Sequence, residues 1–306
     1  VLAGLEVVRA LNDAALETRA PIEIINWTNE EGARFAPAML ASGVYAGHIA
    51  PEFANTRTDS EGYSFRAELE RIGYAGAEPC GERPLGALLE AHIEQGPILE
   101  REEKVIGVVR GGQGQRWYDA VAMGQDAHTG STPMEGRNDA LLKAAEFSLA
   151  VRDVALKHAP NAVATVGEMH VMPNSRNTIP GEVRLSVDAR HPDDNTLAEM
   201  DTDLRKAGSK SGVILEEIWH KPPIVFDSAC CDAIQKATNL LGYPNREMVS
   251  GAGHDACQVA TEVPTAMVFV PCEGGLSHNE AESAEPEHLE AGANVLLHAA
   301  IALADR

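Results

Sequence analysis

Three short apolar runs in this chain each end in a cluster of polar, chemistry-bearing residues, and amphipathic helical patterns lie between them. Pro21-Ile-Glu-Ile-Ile-Asn-Trp27 leads into Thr28-Asn-Glu-Glu-Gly32, and Leu88–Ile93 leads into Glu94-Gln-Gly-Pro97. Thr265–Val270 leads into Gly274-Gly-Leu-Ser-His-Asn-Glu280. Short apolar runs bounded by turn residues read as buried strands. Val1, Leu5, Val8, Leu11 and Ala15 recur at spacings of four and three, so an amphipathic helix is already under way at the first residue. A helix followed by a strand whose carboxyl end is polar is how open α/β sheets present active sites. The pattern therefore predicts an α/β fold.

Between residues 113 and 219 the character changes. Strands are expected at 115–123, 161–171 and 179–189, with helices near 137–157 and 196–208, which together make a compact α+β insert. After Lys221-Pro-Pro223 the α/β pattern resumes, with helices at 228–241 and near 286–303. The expected organisation is a discontinuous catalytic domain, 1–112 with 220–306, interrupted by a smaller domain at 113–219. A length of 306 residues suits two such domains.

The net charge of −21, from 46 acidic and 25 basic residues, argues against a nucleic-acid partner, which needs clustered positive charge. No run of 18 or more apolar residues is present to cross a membrane. The five cysteines are odd in number and lack CxxC spacing, which fits reduced thiols and a cytoplasmic location.

Six clusters can carry chemistry. In Asn29-Glu-Glu-Gly32 one carboxylate can bind a metal while its neighbour serves as general base, or the pair is a solvated loop. His92 ends an apolar strand, as a metal ligand or as a hydrogen-bonded structural residue. Glycines around His128 suggest a turn presenting an imidazole, or an ordinary turn before Pro133. Arg190 can capture a carboxylate, or it forms a surface pair with Asp188. Gly251-Ala-Gly-His-Asp255 and the Ser277-His278-Asn279 segment supply two more histidines. Glu31, His92 and His278 all fall at carboxyl ends of expected strands of one sheet. That coincidence favours a metal site with His and carboxylate ligands.

The motifs Asn-Glu-Glu-Gly-Ala-Arg-Phe (29–35), His-Ile-Glu-Gln-Gly-Pro (92–97), Ala-His-Thr-Gly-Ser-Thr-Pro-Met (127–134), Asn-Thr-Ile-Pro-Gly (177–181), Gly-Ala-Gly-His-Asp-Ala (251–256) and Ser-His-Asn (277–279) occur in this order. In this the chain resembles the hydantoinase/carbamoylase-type amidases: N-carbamoyl-L-amino acid hydrolases, β-ureidopropionases and allantoate amidohydrolases, a branch of the zinc aminopeptidase-like clan. The resemblance implies a phosphorylase/hydrolase-like zinc-peptidase catalytic domain, a mixed sheet flanked by helices. The insert would be its α+β lid and dimerisation domain.

It further implies Glu30 as general base, Glu31 and His92 as ligands of one divalent ion, and His278 as ligand of a second. Zinc, manganese, cobalt or nickel would serve. Gln95 and His254 would contact the ureido group or the scissile region, Asn177 and Arg190 would hold the substrate carboxylate, and His128 would stabilise the oxyanion. The family also has an N-terminal His ligand and a metal-bridging Asp, which would lie upstream of Val1, so the catalytic domain is expected to begin partway through. Thr129, Ser131 and Glu280 depart from the family's usual residues. The implied reaction is removal of the carbamoyl group from an N-carbamoyl amino acid. Allantoate or ureidoglycolate hydrolysis is the alternative within the family, and an inactive fragment or dimeric binding protein is the alternative outside it.

Overall fold

The helical spacing at the start of the chain is realised as α1 (Leu2–Asp13), which buries Val7 and Leu11. Short helices α2 (Leu40–Tyr45), α3 (Pro51–Asn55) and α4 (Phe65–Arg71) follow. Then come β1 (Leu88–Ile93), α5 (Ile98–Arg101) and β2 (Ile106–Gly112). The middle of the chain holds β3 (Gly114–Met123), β4 (Ala127–His128), α6 (Ala140–Lys157), β5 (Val163–Met172), β6 (Thr178–Ile179), β7 (Glu182–His191), α7 (Asp194–Ser211) and β8 (Val213–Lys221). After it run β9 (Ile224–Val225), α8 (Ser228–Leu241), β10 (Asn245–Ser250), α9 (Asp255–Val259), β11 (Thr265–Val270) and α10 (Pro286–Ala304). The structure, a computed structural model, describes residues 1–81 and 83–305. They divide into two units: Val1–Gly112 together with the segment from Ile224 onward, and Gln113–Pro223.

The first unit is built on a mixed sheet in the order β1-β11-β2-β10, with β9 also paired to β2. β1 and β11 run parallel, as do β10 and β2, while β11 and β2 are antiparallel. All six residues of β11 are buried, as a central strand covered on both faces requires. α8 and α10 pack on each other and on β11, and α1 lies against α10. The core joins Ile106, Val108 and Val109 of β2 to Met267, Val268 and Phe269 of β11 and to Ile234 and Val295 of the helices. Truncating a residue so placed, such as Phe269, costs about 3–5 kcal/mol.

Two features differ from expectation. Residues 21–27 have no regular secondary structure and are half-buried or exposed. An apolar run becomes a strand only where a neighbouring backbone supplies a ladder. No described strand pairs with this segment. Its Ile22 instead joins Val7, Leu11 and Leu296 in a small apolar cluster. Conversely, β2 and β10 are strands without a strand-like sequence. Gly107, Gly111 and Gly112 dilute one, and Asn245-Arg-Glu-Met-Val-Ser250 is polar because it lies at the sheet's edge.

The second unit is an antiparallel sheet in the order β5-β7-β3-β8, with α6 and α7 packed together on it. Alternation along β7 puts Val183, Leu185, Val187 and Ala189 into the core beside Tyr118, Ala120 and Ala122 of β3. Phe147 of α6 and Leu197, Met200 and Leu204 of α7 close that core. Asp139 and Asp193 start the two helices by accepting backbone N–H groups at their N-termini. β4 and β6 form a separate two-stranded ladder pairing His128 with Thr178.

Candidate active site

In the first unit, three loops converge on a cavity of about 420 Å³ lined by Glu31, His92, Ile93, Gln95, His278, Asn279 and Glu282. The loop carrying the two glutamates is closed by its own residues. The Asn29 side-chain amide donates to the Phe35 carbonyl at 2.6 Å and to Pro37 at 3.3 Å, and the Met39 N–H reaches the Glu30 carbonyl. Gly32 has φ +70°, and a Cβ there would fall 2.5 Å from the Ala38 nitrogen, so only glycine makes this turn.

His92 sits one residue before the end of β1, with Nδ1 2.9 Å from the Ile93 carbonyl oxygen. Glu94 is buried and spends both carboxylate oxygens on the N–H groups of Ile98 and Leu99, at 2.8 and 2.7 Å. That pins the chain after β1 and leaves Gln95 on the cavity wall, its Nε2 donating to Ser277 Oγ at 2.8 Å. The second loop reaches the first through Gly275, which has φ +68°. A Cβ there would lie 2.5 Å from the Pro97 nitrogen. Beyond it, Glu282 accepts from Ser277 Oγ at 2.9 Å and from the His278 N–H at 3.2 Å. His278 then faces Glu31, Nε2 to Oε2 at 3.6 Å.

Asn29, Gln95 and His278 all adopt left-handed backbone conformations, with φ of +61°, +57° and +52°. Such conformations cost energy in residues with a side chain and gather at functional sites. Burial, then the carboxylates of Asp255 and Glu31, push the Glu30 carboxyl above its ordinary value, and His92 and His278 partly offset this.

Behind the cavity wall lies a buried polar layer. His254, expected at the scissile group, is 2% exposed and stacks edge-on against His92 with ring centroids 4.7 Å apart. Its Nε2 meets Ser250 Oγ at 2.8 Å, and burial, then His92, lower its pKa to about 3. Asp255 is held by the Ser42 hydroxyl, and burial raises it to about 6. Glu90 accepts the Ala256 N–H at 2.8 Å, and burial raises it to about 7. Sequence alone gives Glu90, Ser42 and Glu282 no role and marks Asp255 only as the neighbour of His254. Glu90 carried the one usable signal, since it stands two residues before His92 and so on the same face of β1.

The remaining candidates belong to the second unit. His128 is exposed, and its Nδ1 accepts the N–H groups of Gly130 and Ser131 at 3.1 and 3.2 Å. Asn177 is tied to this loop by the Thr129 N–H to Asn177 carbonyl bond at 3.0 Å, and its Oδ1 accepts from Ser175 Oγ at 2.9 Å. Arg190 forks onto Asp188, with the shortest contact at 2.6 Å.

Two imidazoles and a carboxylate on one cavity wall are the donor types a divalent transition metal takes. His92 is also set as a ligand requires. A carbonyl oxygen only accepts, so Nδ1 is the donor and Nε2 is the ring nitrogen left to serve as a ligand. The described residues supply no group of three or more His, Cys, Asp or Glu closed around one point. The fit therefore lies in the donor set rather than in a finished coordination shell.

A mixed α/β unit carrying a His and Glu cavity at its loop ends, together with an antiparallel α+β unit, defines a hydrolase class. The model of peptidase family M20/M25/M40 matches residues 1–302, and the chain belongs to that family. Its members generally depend on divalent metal ions. The chain is 49% identical to an N-carbamoyl-L-amino-acid amidohydrolase of Rhizobium meliloti, over all of this chain and 75% of that protein. A namesake from Geobacillus stearothermophilus is 35% identical over 97% of this chain and 75% of its own length. Among solved structures, an amidase of the hydantoinase/carbamoylase family from Burkholderia multivorans is 56% identical with a TM-score of 0.96. That match covers all of this chain and 76% of the other.

Proposed function

We propose that this chain is a metal-dependent amidohydrolase that removes the carbamoyl group from N-carbamoyl-L-amino acids or N-carbamoyl-β-alanine. One water is consumed, and the products are the amino acid, carbon dioxide and ammonia. The observation that carries this reading is the cavity wall itself. There His92, its Nδ1 committed to a carbonyl, lines one cavity with Glu31 and His278, and Glu30 is near enough to feel the charges of Glu31, His92 and His278. The named relatives supply the substrate class.

Glu31, His92 and His278 would hold the divalent ions, which when bound acidify water and polarise a carbonyl. The protein's own groups then do the rest. Glu30 takes the proton from the attacking water and returns it to the leaving amino nitrogen, so that the ureido C–N bond breaks to amine and carbamic acid, which falls apart to carbon dioxide and ammonia. Gln95, tethered by Ser277, orients the ureido group, with His254 supporting it from behind His92. Nδ1 of His128 is occupied by two N–H groups, so its Nε2–H is free to donate to the oxyanion. Asn177 and Arg190 hold the substrate carboxylate. Residues 113–223 would serve as lid and as the dimerisation surface of a cytoplasmic homodimer, which light scattering in solution tests.

The decisive experiment is a kinetic panel of an N-carbamoyl-L-α-amino acid, N-carbamoyl-β-alanine and allantoate, with Mn²⁺, Zn²⁺ or Co²⁺ added. Preference for a carbamoyl amino acid supports the reading, whereas preference for allantoate, or no turnover of any, overturns it. Glu30→Gln should keep its metal and lose turnover, and near-wild-type activity would remove Glu30 as the base.

A further inference from the structure

Arg137 is the one guanidinium in the second unit whose contacts all go to the backbone of a single loop, the loop that carries His128. Its Nη2 donates to the carbonyls of Thr129 and Thr132, each at 2.7 Å, and its Nε donates to Thr132 and Pro133, each at 3.2 Å. Among the described residues it has no carboxylate partner within ion-pair distance. A half-buried arginine without an acid, forked onto three carbonyls, is an organising element rather than a surface charge.

The connection to His128 runs through one peptide bond. The Thr129 carbonyl that accepts from Arg137 belongs to the same peptide unit as the Gly130 N–H, and that N–H donates to His128 Nδ1. A cation on the carbonyl end of a peptide strengthens its N–H as a donor, so the chain guanidinium–peptide–imidazole is cooperative. The Ser131 N–H adds a second donor to the same ring nitrogen. Gly130 lies so close under the ring that a Cβ would sit 3.3 Å from His128 Cε1. The loop's ends are pinned independently. Gly124 N–H bonds the Gly181 carbonyl at 2.7 Å, and Gln125 N–H bonds Asn138 at 2.8 Å. Arg137 therefore shapes the turn between these anchors.

We propose that Arg137 is the positioning residue for His128: it folds the 129–133 carbonyls inward so that two N–H groups occupy Nδ1 and the ring's proton is kept on Nε2, aimed outward as a donor. This rests on the reading of His128 as the oxyanion donor, so one arm of the test does not use turnover.

The ring nitrogens of His128 are read by isotope-edited NMR at mildly alkaline pH, the signal being assigned by its loss in His128→Gln. The wild-type protein should show a single tautomer protonated at Nε2. Arg137→Ala should show both tautomers, and its kcat should fall about 10- to 100-fold, less than the roughly 10²–10³-fold of an oxyanion donor removed outright because the ring stays, with KM little changed. Arg137→Lys meets one carbonyl where the fork meets three, so it should recover only part of either readout, and it serves if the alanine variant does not fold. A single Nε2 tautomer persisting in Arg137→Ala overturns the proposal, as does an unchanged kcat or full recovery by lysine. If the wild-type protein turns over no ureido substrate, the functional reading fails on that arm while the tautomer arm still decides the role of Arg137.

Discussion

His92 turns its Nδ1 to the carbonyl oxygen of Ile93, its own neighbour in β1, at 2.9 Å. Because the carbonyl can only accept, this contact takes up Nδ1 as a donor and leaves Nε2 as the ring nitrogen a metal would use. His92→Ala should therefore weaken binding of Zn²⁺ or Mn²⁺ by about 10- to 100-fold or more, the range seen when the shell around a metal site is disturbed. Titration calorimetry on the metal-stripped protein checks this, and an unchanged affinity would remove His92 from the ligand set. Chelation should abolish turnover of the wild-type protein, and added divalent metal should restore it.

Glu282 makes a comparable prediction through the turn it braces. It holds Ser277 and the backbone of His278 together, and His278 has φ +52°. A residue kept in the left-handed region persists only when its surroundings over-determine it. Glu282→Ala removes the acceptor for both groups and frees the turn. We expect metal affinity to fall about tenfold while overall stability changes little. Equal metal affinity in the two proteins would show that the turn holds itself.

The elements that the sequence made legible are those with long periodic patterns. α1, α8, α10 and the strands β1 and β11 fall where their apolar spacing predicts. The pattern failed where a partner decides. Residues 21–27 are apolar enough for a strand but have no ladder, while β10 is polar and becomes a strand because β2 offers it one. In the site, residues carrying recognisable chemistry were legible one by one. Their support was not, since a brace such as Glu282 or Arg137 is defined by the carbonyls and N–H groups it meets, and only the folded loops bring these together.

α4 ends with a doubly bonded turn in which Gly73 takes φ +76°, its N–H reaching the Glu70 carbonyl while that of Tyr74 reaches Leu69. α1 and α5 end the same way without glycine. Ala15 has φ +48° and Glu103 has φ +53°, and the same pair of bonds follows each helix. A side chain in that position strains the backbone, so Ala15→Gly and Glu103→Gly should each stabilise the protein by up to about 1 kcal/mol. Gly73→Ala should destabilise it by a similar amount. Urea unfolding of the three variants tests this, and a loss of stability in both glycine variants would refute the assignment.

Glu68 lies between two guanidinium groups, Arg71 at 2.8 Å and Arg34 at 2.7 Å, and the bonds they donate, Arg71's first, hold its carboxyl down at about 2. In the unfolded chain the same carboxyl titrates at the ordinary glutamate value of about 4.5. A folded-state value below the unfolded one means that the unfolded chain takes up the proton first as pH falls. The stabilising contribution of Glu68 is thus complete above about pH 4.5 and disappears as the pH falls through about 2. Glu68→Gln should be less stable than wild type near neutrality, and the gap should close steadily across that window. Denaturant unfolding of both proteins at stepped pH measures it. A gap that stays constant down to pH 2 would show that the carboxylate's charge is not what Arg34 and Arg71 hold.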